Sequence, residues 1–121
     1  MWQNLWGGLR LAVDGESLFA DHRDPMDIAD WRRKIDEIDQ QLVEILNRRA
    51  EAAQEIGRLK RKSSMPIYEP DRERIVLEQV QQGNRGPLEH RHLIQIYERI
   101  MDVMRNIQKE EIVRTDHENR K

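Results

Sequence analysis

The amino-acid sequence predicts an all-α chain of three helices, the first of them very long. Apolar residues recur at helical spacing from residue 27 to about residue 113. The pattern breaks only at two segments carrying proline or glycine, residues 63–70 and 83–87. No stretch alternates as a strand does, and there is no internal repeat.

The first helix is expected from Asp27, as N-cap, to about Lys62. One stripe holds Ile28, Ile35, Leu42, Arg49 and Ile56 together with Trp31, Ile38, Ile45, Ala52 and Leu59. A helix of this extent is about 50 Å long, whereas a globule of some 100 residues is roughly 35 Å across. It overhangs its own fold, so a second copy is expected to cover it, with two-fold symmetry.

Ser63-Ser64-Met65-Pro66 ends this helix, and Ile67-Tyr68 crosses as a short extended link. Pro70 suits the first turn of a second helix, which Gly83 ends. Ile75, Val76, Leu77 and Val80 supply its buried side. After Asn84-Arg85-Gly86-Pro87 a third helix runs to about Val113, its stripe formed by Leu93, Tyr97, Ile100, Met101, Met104 and Ile107, with Ile96 beside it. Gln108 lies one turn beyond Met104 on the same inner face.

The helical domain is thus expected over residues 27–113, followed by a frayed polar tail, residues 114–121. Residues 1–26 read as a loosely ordered extension. Trp2, Leu5, Trp6 and Leu9 have helical spacing, but Gly7-Gly8 weakens any helix there by about 2 kcal/mol. Met26 is a candidate start, and a docking segment for a partner or for the protein's own surface is the alternative.

Charged residues make up 36% and aromatics 5%, a balance suited to a helical bundle with a charged surface. A net charge of −2 gives no general attraction to nucleic acid or to acidic membranes. The absence of cysteine rules out disulfides, thiol nucleophiles and cysteine-based metal sites. No apolar run approaches the roughly 20 residues of a membrane span, and without a basic segment followed by a long apolar core near residue 1 no secretory signal is expected. The expected location is cytoplasmic. His90 and His92 point to different sides of a helix, so no metal site is expected there.

Arg49 is the misfit in the first stripe, whose other nine positions are apolar. An unpaired guanidinium in a core costs several kcal/mol, so something anionic should meet it. The plainer alternative is a core-edge arginine that reaches solvent or pairs with Glu73. Lys60, three turns further on, points within about 20° of the same direction. Two inward cations describe a pocket for a small anion. Arg32 sits about 100° around the helix from Arg49, so both reach one ligand only if two antiparallel copies of the helix meet. Arg61 and Lys62, by contrast, simply suit the negative end of the helix.

The segment Trp31-Arg32-Arg33-Lys34-Ile35-Asp36-Glu37-Ile38-Asp39 resembles the opening helix of the all-helical (AroQ-type) chorismate mutases. Asn47-Arg48-Arg49, Ile56-Gly57-Arg58-Leu59-Lys60, Pro66 and Asp71-Arg72-Glu73-Arg74 follow at the family's spacing. The resemblance implies an intertwined homodimeric helical bundle, shared active sites and conversion of chorismate to prephenate on the route to phenylalanine and tyrosine. It also implies residue roles. Arg32 matches the arginine lent by the partner subunit, and Arg49 the one that grips a substrate carboxylate. Lys60 matches the lysine on a carboxylate and the breaking ether oxygen. Glu73 matches the glutamate on the ring hydroxyl, with Arg72 beside it. Glu69 stands where aspartate is common, and Gln108 matches the donor to the ether oxygen. Met104 departs from the pattern, since a serine that helps bind a carboxylate often sits there.

The implied reaction needs no cofactor, metal or nucleophile. It needs the side chain of a dianion held over its ring, and donors where charge grows on the ether oxygen. Two other functions fit parts of this sequence: an isochorismate-pyruvate lyase of the same fold, and a non-catalytic helical dimerisation module.

Overall fold

The computed structural model describes residues 25–121, which form three α-helices: α1, Ile28–Ser63; α2, Pro70–Gly83; and α3, His90–Asn119. Among the described residues there is no strand. The expectation of an all-α, three-helix chain with a very long first helix is met. Of the expected N-terminal extension, residues 1–24 lie outside the described residues. No described helix is long and apolar enough to cross a membrane.

Asp27 starts α1 as expected, through a reciprocal capping arrangement. Its Oδ1 accepts the Asp30 N–H at 2.8 Å, and its own N–H donates to Asp30 Oδ2 at 3.1 Å. Two donors left over by helix geometry are thereby satisfied. The chain divides between Leu42 and Val43 into two compact units. In the first, the apolar stripe faces solvent: Ile28, Trp31, Ile35, Ile38 and Leu42 are all exposed, the least of them at 49%.

The second unit holds the rest of α1 with α2 and α3. Helix α1 ends in a Schellman arrangement: the Met65 N–H reaches the Lys60 carbonyl at 2.9 Å and the Ser64 N–H the Arg61 carbonyl at 3.4 Å. Ser64 adopts the left-handed conformation that this closure requires, with φ 56°. Between α2 and α3, Asn84 organises the turn. Its amide donates to the Leu88 carbonyl at 2.8 Å, and its Oδ1 accepts the Gly86 N–H at 3.0 Å.

Helix α2 buries no residue completely: Val76, Leu77 and Val80 are half-buried, and Ile75, expected inside, is exposed. On α3, Met101 and Met104 are buried, while Leu93, Tyr97, Ile100 and Ile107 are half-buried and Ile96 is exposed. Among the described residues the buried apolar side chains are Ala53, Met101 and Met104, matched by three buried polar ones, Lys60, Gln108 and Glu111. An interior so polar is a weak core by itself.

One boundary differs from expectation. Helix α3 does not end near Val113 in a frayed tail but continues to Asn119. Its last turns are tied by side chains: Arg61 reaches Asp116 at 2.5 Å, Arg114 bonds Glu111 at 2.6 Å and Glu118 at 3.1 Å, and Thr115 caps the Glu111 carbonyl at 2.8 Å. Arg61 therefore does more than suit the helix dipole.

Glu111, 3% exposed, accepts hydrogen bonds from Arg114 at 2.6 Å and Arg58 at 2.7 Å. Arg114, and then Arg58, hold its carboxyl below the usual value of 4.5. A lowered carboxyl adds stability that is complete above the unfolded value and drains away as pH falls through the folded one. Thermal melting from neutral pH downward should therefore show the wild type losing Tm below about pH 4.5. Glu111→Gln should start from a lower Tm and follow a flatter acid limb; parallel limbs would contradict the pairing.

Candidate active site

Lys60 is the most deeply buried cation among the described residues, at 5% exposure. Its Nζ donates to the Ile67 carbonyl at 2.8 Å and Gln108 Oε1 at 3.0 Å, and pairs with Glu69 Oε1 at 2.9 Å. An ammonium has three donors; two make hydrogen bonds to Ile67 and Gln108, and the contact with Glu69 is an ion pair. Because a cation can bond only the oxygen of an amide, Gln108 turns Oε1 to Lys60. Its amide N–H groups are then free to donate elsewhere.

That meeting of helices depends on Gly57. A Cβ built there would lie 3.2 Å from both the Cα and the carbonyl oxygen of Gln108. Glycine lets α1 approach α3 this closely one turn before Lys60, whereas a methyl group there would need the helices to part by a few tenths of an ångström.

A cavity of about 400 Å³ opens beside this contact, within the usual range for small-molecule sites. Arg49, Lys60, Glu69, Arg72, Glu73, Met104, Arg105 and Gln108 line it, with Ala52, Ala53, Ile56, Ile67, Val76 and Met101 as its apolar wall. Four cations face two carboxylates there, a surplus of two positive charges. Such a lining complements a small dianion.

Seven of the eight residues singled out by sequence line this cavity: Arg49, Lys60, Glu69, Arg72, Glu73, Met104 and Gln108. Arg32 does not; it is exposed on the first half of α1. Arg49 is half-buried and makes no hydrogen bond or ion pair with the described residues, so its guanidinium is available to a ligand. Arg72 is exposed at the cavity margin, and Met104 is buried.

Glu73, the alternative partner considered for Arg49, is taken by Arg105. Arg105 Nη1 lies 2.6 Å from both Glu73 carboxylate oxygens. Its Nη2 donates to Asp102 Oδ1 at 3.3 Å, and its guanidinium lies 5.1 Å from the centre of the Tyr68 ring. Hydrogen bonding by Glu73, with Asp102 contributing less, raises the Arg105 pKa further. Sequence reasoning missed Arg105, and it met Gly57 only as part of a motif, without its packing role. Arg105 directly follows Met104, where the family pattern is broken, but its partner is 32 residues away. A second, more open groove of about 560 Å³ shares Glu73, Met101 and Arg105 with the first.

Residues 31–109 match the model of the family described as chorismate mutase type II. The chain belongs to that family. Among relatives of this chorismate mutase family member, the bifunctional chorismate mutase/prephenate dehydratase of Aquifex aeolicus is 32% identical over 87 residues, covering 69% of this chain and 24% of that protein. The chain spans about a quarter or less of the length of the bifunctional relatives it matches. Chorismate mutase (form II) from Thermus thermophilus superimposes with a TM-score of 0.66 at 26% identity, over 68% of this chain and 93% of that one. Helicobacter pylori chorismate mutase, solved in complex with prephenate, gives 0.65 at 28% identity, over 70% and 92%.

The Gly57 contact yields a stability prediction. Alanine gains about 1 kcal/mol of helix propensity, yet its methyl group meets backbone that cannot swing aside. Gly57→Ala should therefore lower Tm, because overpacking of about 1–3 kcal/mol outweighs that gain and leaves a net loss of up to about 2 kcal/mol. A raised Tm would mean that the helices are not pressed together there.

Proposed function

We propose that the chain is a chorismate mutase, rearranging chorismate to prephenate in aromatic amino-acid biosynthesis. The observation that carries this reading is the cavity's surplus of two positive charges around the buried Lys60–Gln108 pair. Family membership and the prephenate-bound relative support it.

The rearrangement is a cyclic electron shift within one molecule: a carbon–oxygen bond breaks as a carbon–carbon bond forms. No proton transfer, nucleophile or metal is needed. What accelerates it is holding the enolpyruvyl side chain over the ring, worth up to several kcal/mol of barrier. Donors aimed at the ether oxygen, where negative charge develops, add to this. In our assignment Arg49 grips one carboxylate, and Lys60 turns the donor that makes no hydrogen bond to the protein towards a carboxylate and the ether oxygen. Gln108 donates its amide N–H to that oxygen. Glu73 accepts the ring hydroxyl, with Arg72 and Glu69 completing the polar wall and Met104 packing against the ligand. Gln108 is suited to its part because Lys60 already occupies its oxygen. Losing such a donor typically costs about 3–4 kcal/mol, near a thousandfold in rate.

The active form in this reading is an intertwined homodimer in the cytoplasm, with Arg32 of the partner subunit completing each site. Its support is the apolar face of α1, where Ile28, Trp31, Ile35, Ile38 and Leu42 stand exposed, and the weak core of the lone chain. A plain dimerisation module accounts for that face but not for the buried Lys60. The lyase alternative draws no support from the relatives described above, which carry the mutase name.

Purified protein should run as a two-chain species and convert chorismate to prephenate. Arg49→Leu fills an apolar stripe, so it should melt at the same temperature or higher while turnover falls at least about a hundredfold. A folded, dimeric wild type inert towards chorismate would defeat the proposal, as would an Arg49→Leu variant of unchanged activity.

A further inference from the structure

We infer that Arg105 is a positioning residue that holds Glu73 in place for the substrate hydroxyl. The inference rests on the mutase reading of the same cavity. Arg105 is the one charged residue lining the cavity that lies outside the set singled out by sequence.

Three contacts fix the guanidinium. Nη1 bridges both oxygens of Glu73 at 2.6 Å, Nη2 is braced by Asp102 at 3.3 Å, and the Tyr68 ring lies beneath it at 5.1 Å. Both members of the pair are mostly buried, Arg105 at 27% and Glu73 at 22% side-chain exposure. This matters for a cavity built to take a dianion. A lone carboxylate facing such a ligand repels it, whereas a carboxylate neutralised from behind does not. Each Glu73 oxygen accepts one bond from Arg105 and keeps lone-pair capacity for a donor in the cavity. Arg105 thus lets Glu73 serve as a hydroxyl acceptor without deterring the ligand's own negative charge. It acts through Glu73, not on the reacting atoms.

A hydroxyl contact of this kind is present before and during the rearrangement, so its loss should appear in KM more than in kcat. Steady-state kinetics on the full-length protein test this. Arg105→Met should raise KM about tenfold or more, the range for a bond to a charged group, and leave kcat within about threefold. Arg105→Lys should restore KM to within about threefold, because a single nitrogen makes both contacts with Glu73. In a Glu73→Gln background, Arg105→Met should add less than about a twofold change, since its target is already gone. Should Arg105→Met not fold, Arg105→Leu, equally uncharged and without a donor, gives the same comparison. An active wild type whose KM ignores Arg105, or losses that simply multiply in the Glu73→Gln background, overturn the inference alone. A folded wild type with no activity on chorismate overturns it together with the functional proposal.

Discussion

Everything in the second unit is arranged around one buried ammonium. Lys60 has lost its water, a cost of several kcal/mol unless each proton finds an acceptor. Its partners come from three separate places: hydrogen-bond acceptors at Ile67 in the linker and Gln108 on α3, and the carboxylate of Glu69 at the start of α2. To bury Lys60 is therefore to fix where α1 stops, how the linker crosses and where α2 begins. The left-handed Ser64 and the Schellman closure on the Lys60 carbonyl belong to the same constraint, since they turn the chain back towards the lysine. Gly57 allows the close approach that puts Gln108 within reach.

The same constraint makes a site. With Lys60 held by neutral and acidic partners, Arg49 is left without a partner among the described residues, on the wall of a cavity. A core optimised for stability alone would have an apolar residue at Arg49, and the exposed stripe on α1 would have a reason to be polar. Both departures carry a cost in a lone chain. They make sense together if a second copy covers the stripe and a small dianion meets the cations.

Much of this is legible in the sequence because helices announce themselves by period. The limits of α1 and α2 fall where Asp27, Ser63 and Pro70 place them, and Arg49 and Lys60 stand out as cations on an apolar face. The end of α3 is not legible in that way because residues 114–119 carry no apolar stripe; ion pairs of Arg114 and Arg61 extend the helix instead. Periodicity on α2 likewise says nothing about what faces an apolar residue: Ile75, on its stripe, keeps 37% exposure in the lone chain. Arg105 is invisible for a related reason. Its role is set by Glu73 and Tyr68, distant in sequence, and spacing along one helix cannot reveal a partner on another.

The central claim is that Lys60 and Arg49 together receive a doubly negative ligand, and a crystal structure with prephenate bound tests it most directly. The account predicts ligand density in the cavity, with Lys60 Nζ and the Gln108 amide nitrogen each about 3 Å from a ligand oxygen. A ligand carboxylate should lie across the Arg49 guanidinium. Prephenate seated elsewhere, with Lys60 still bonded only to Ile67, Glu69 and Gln108, would contradict it.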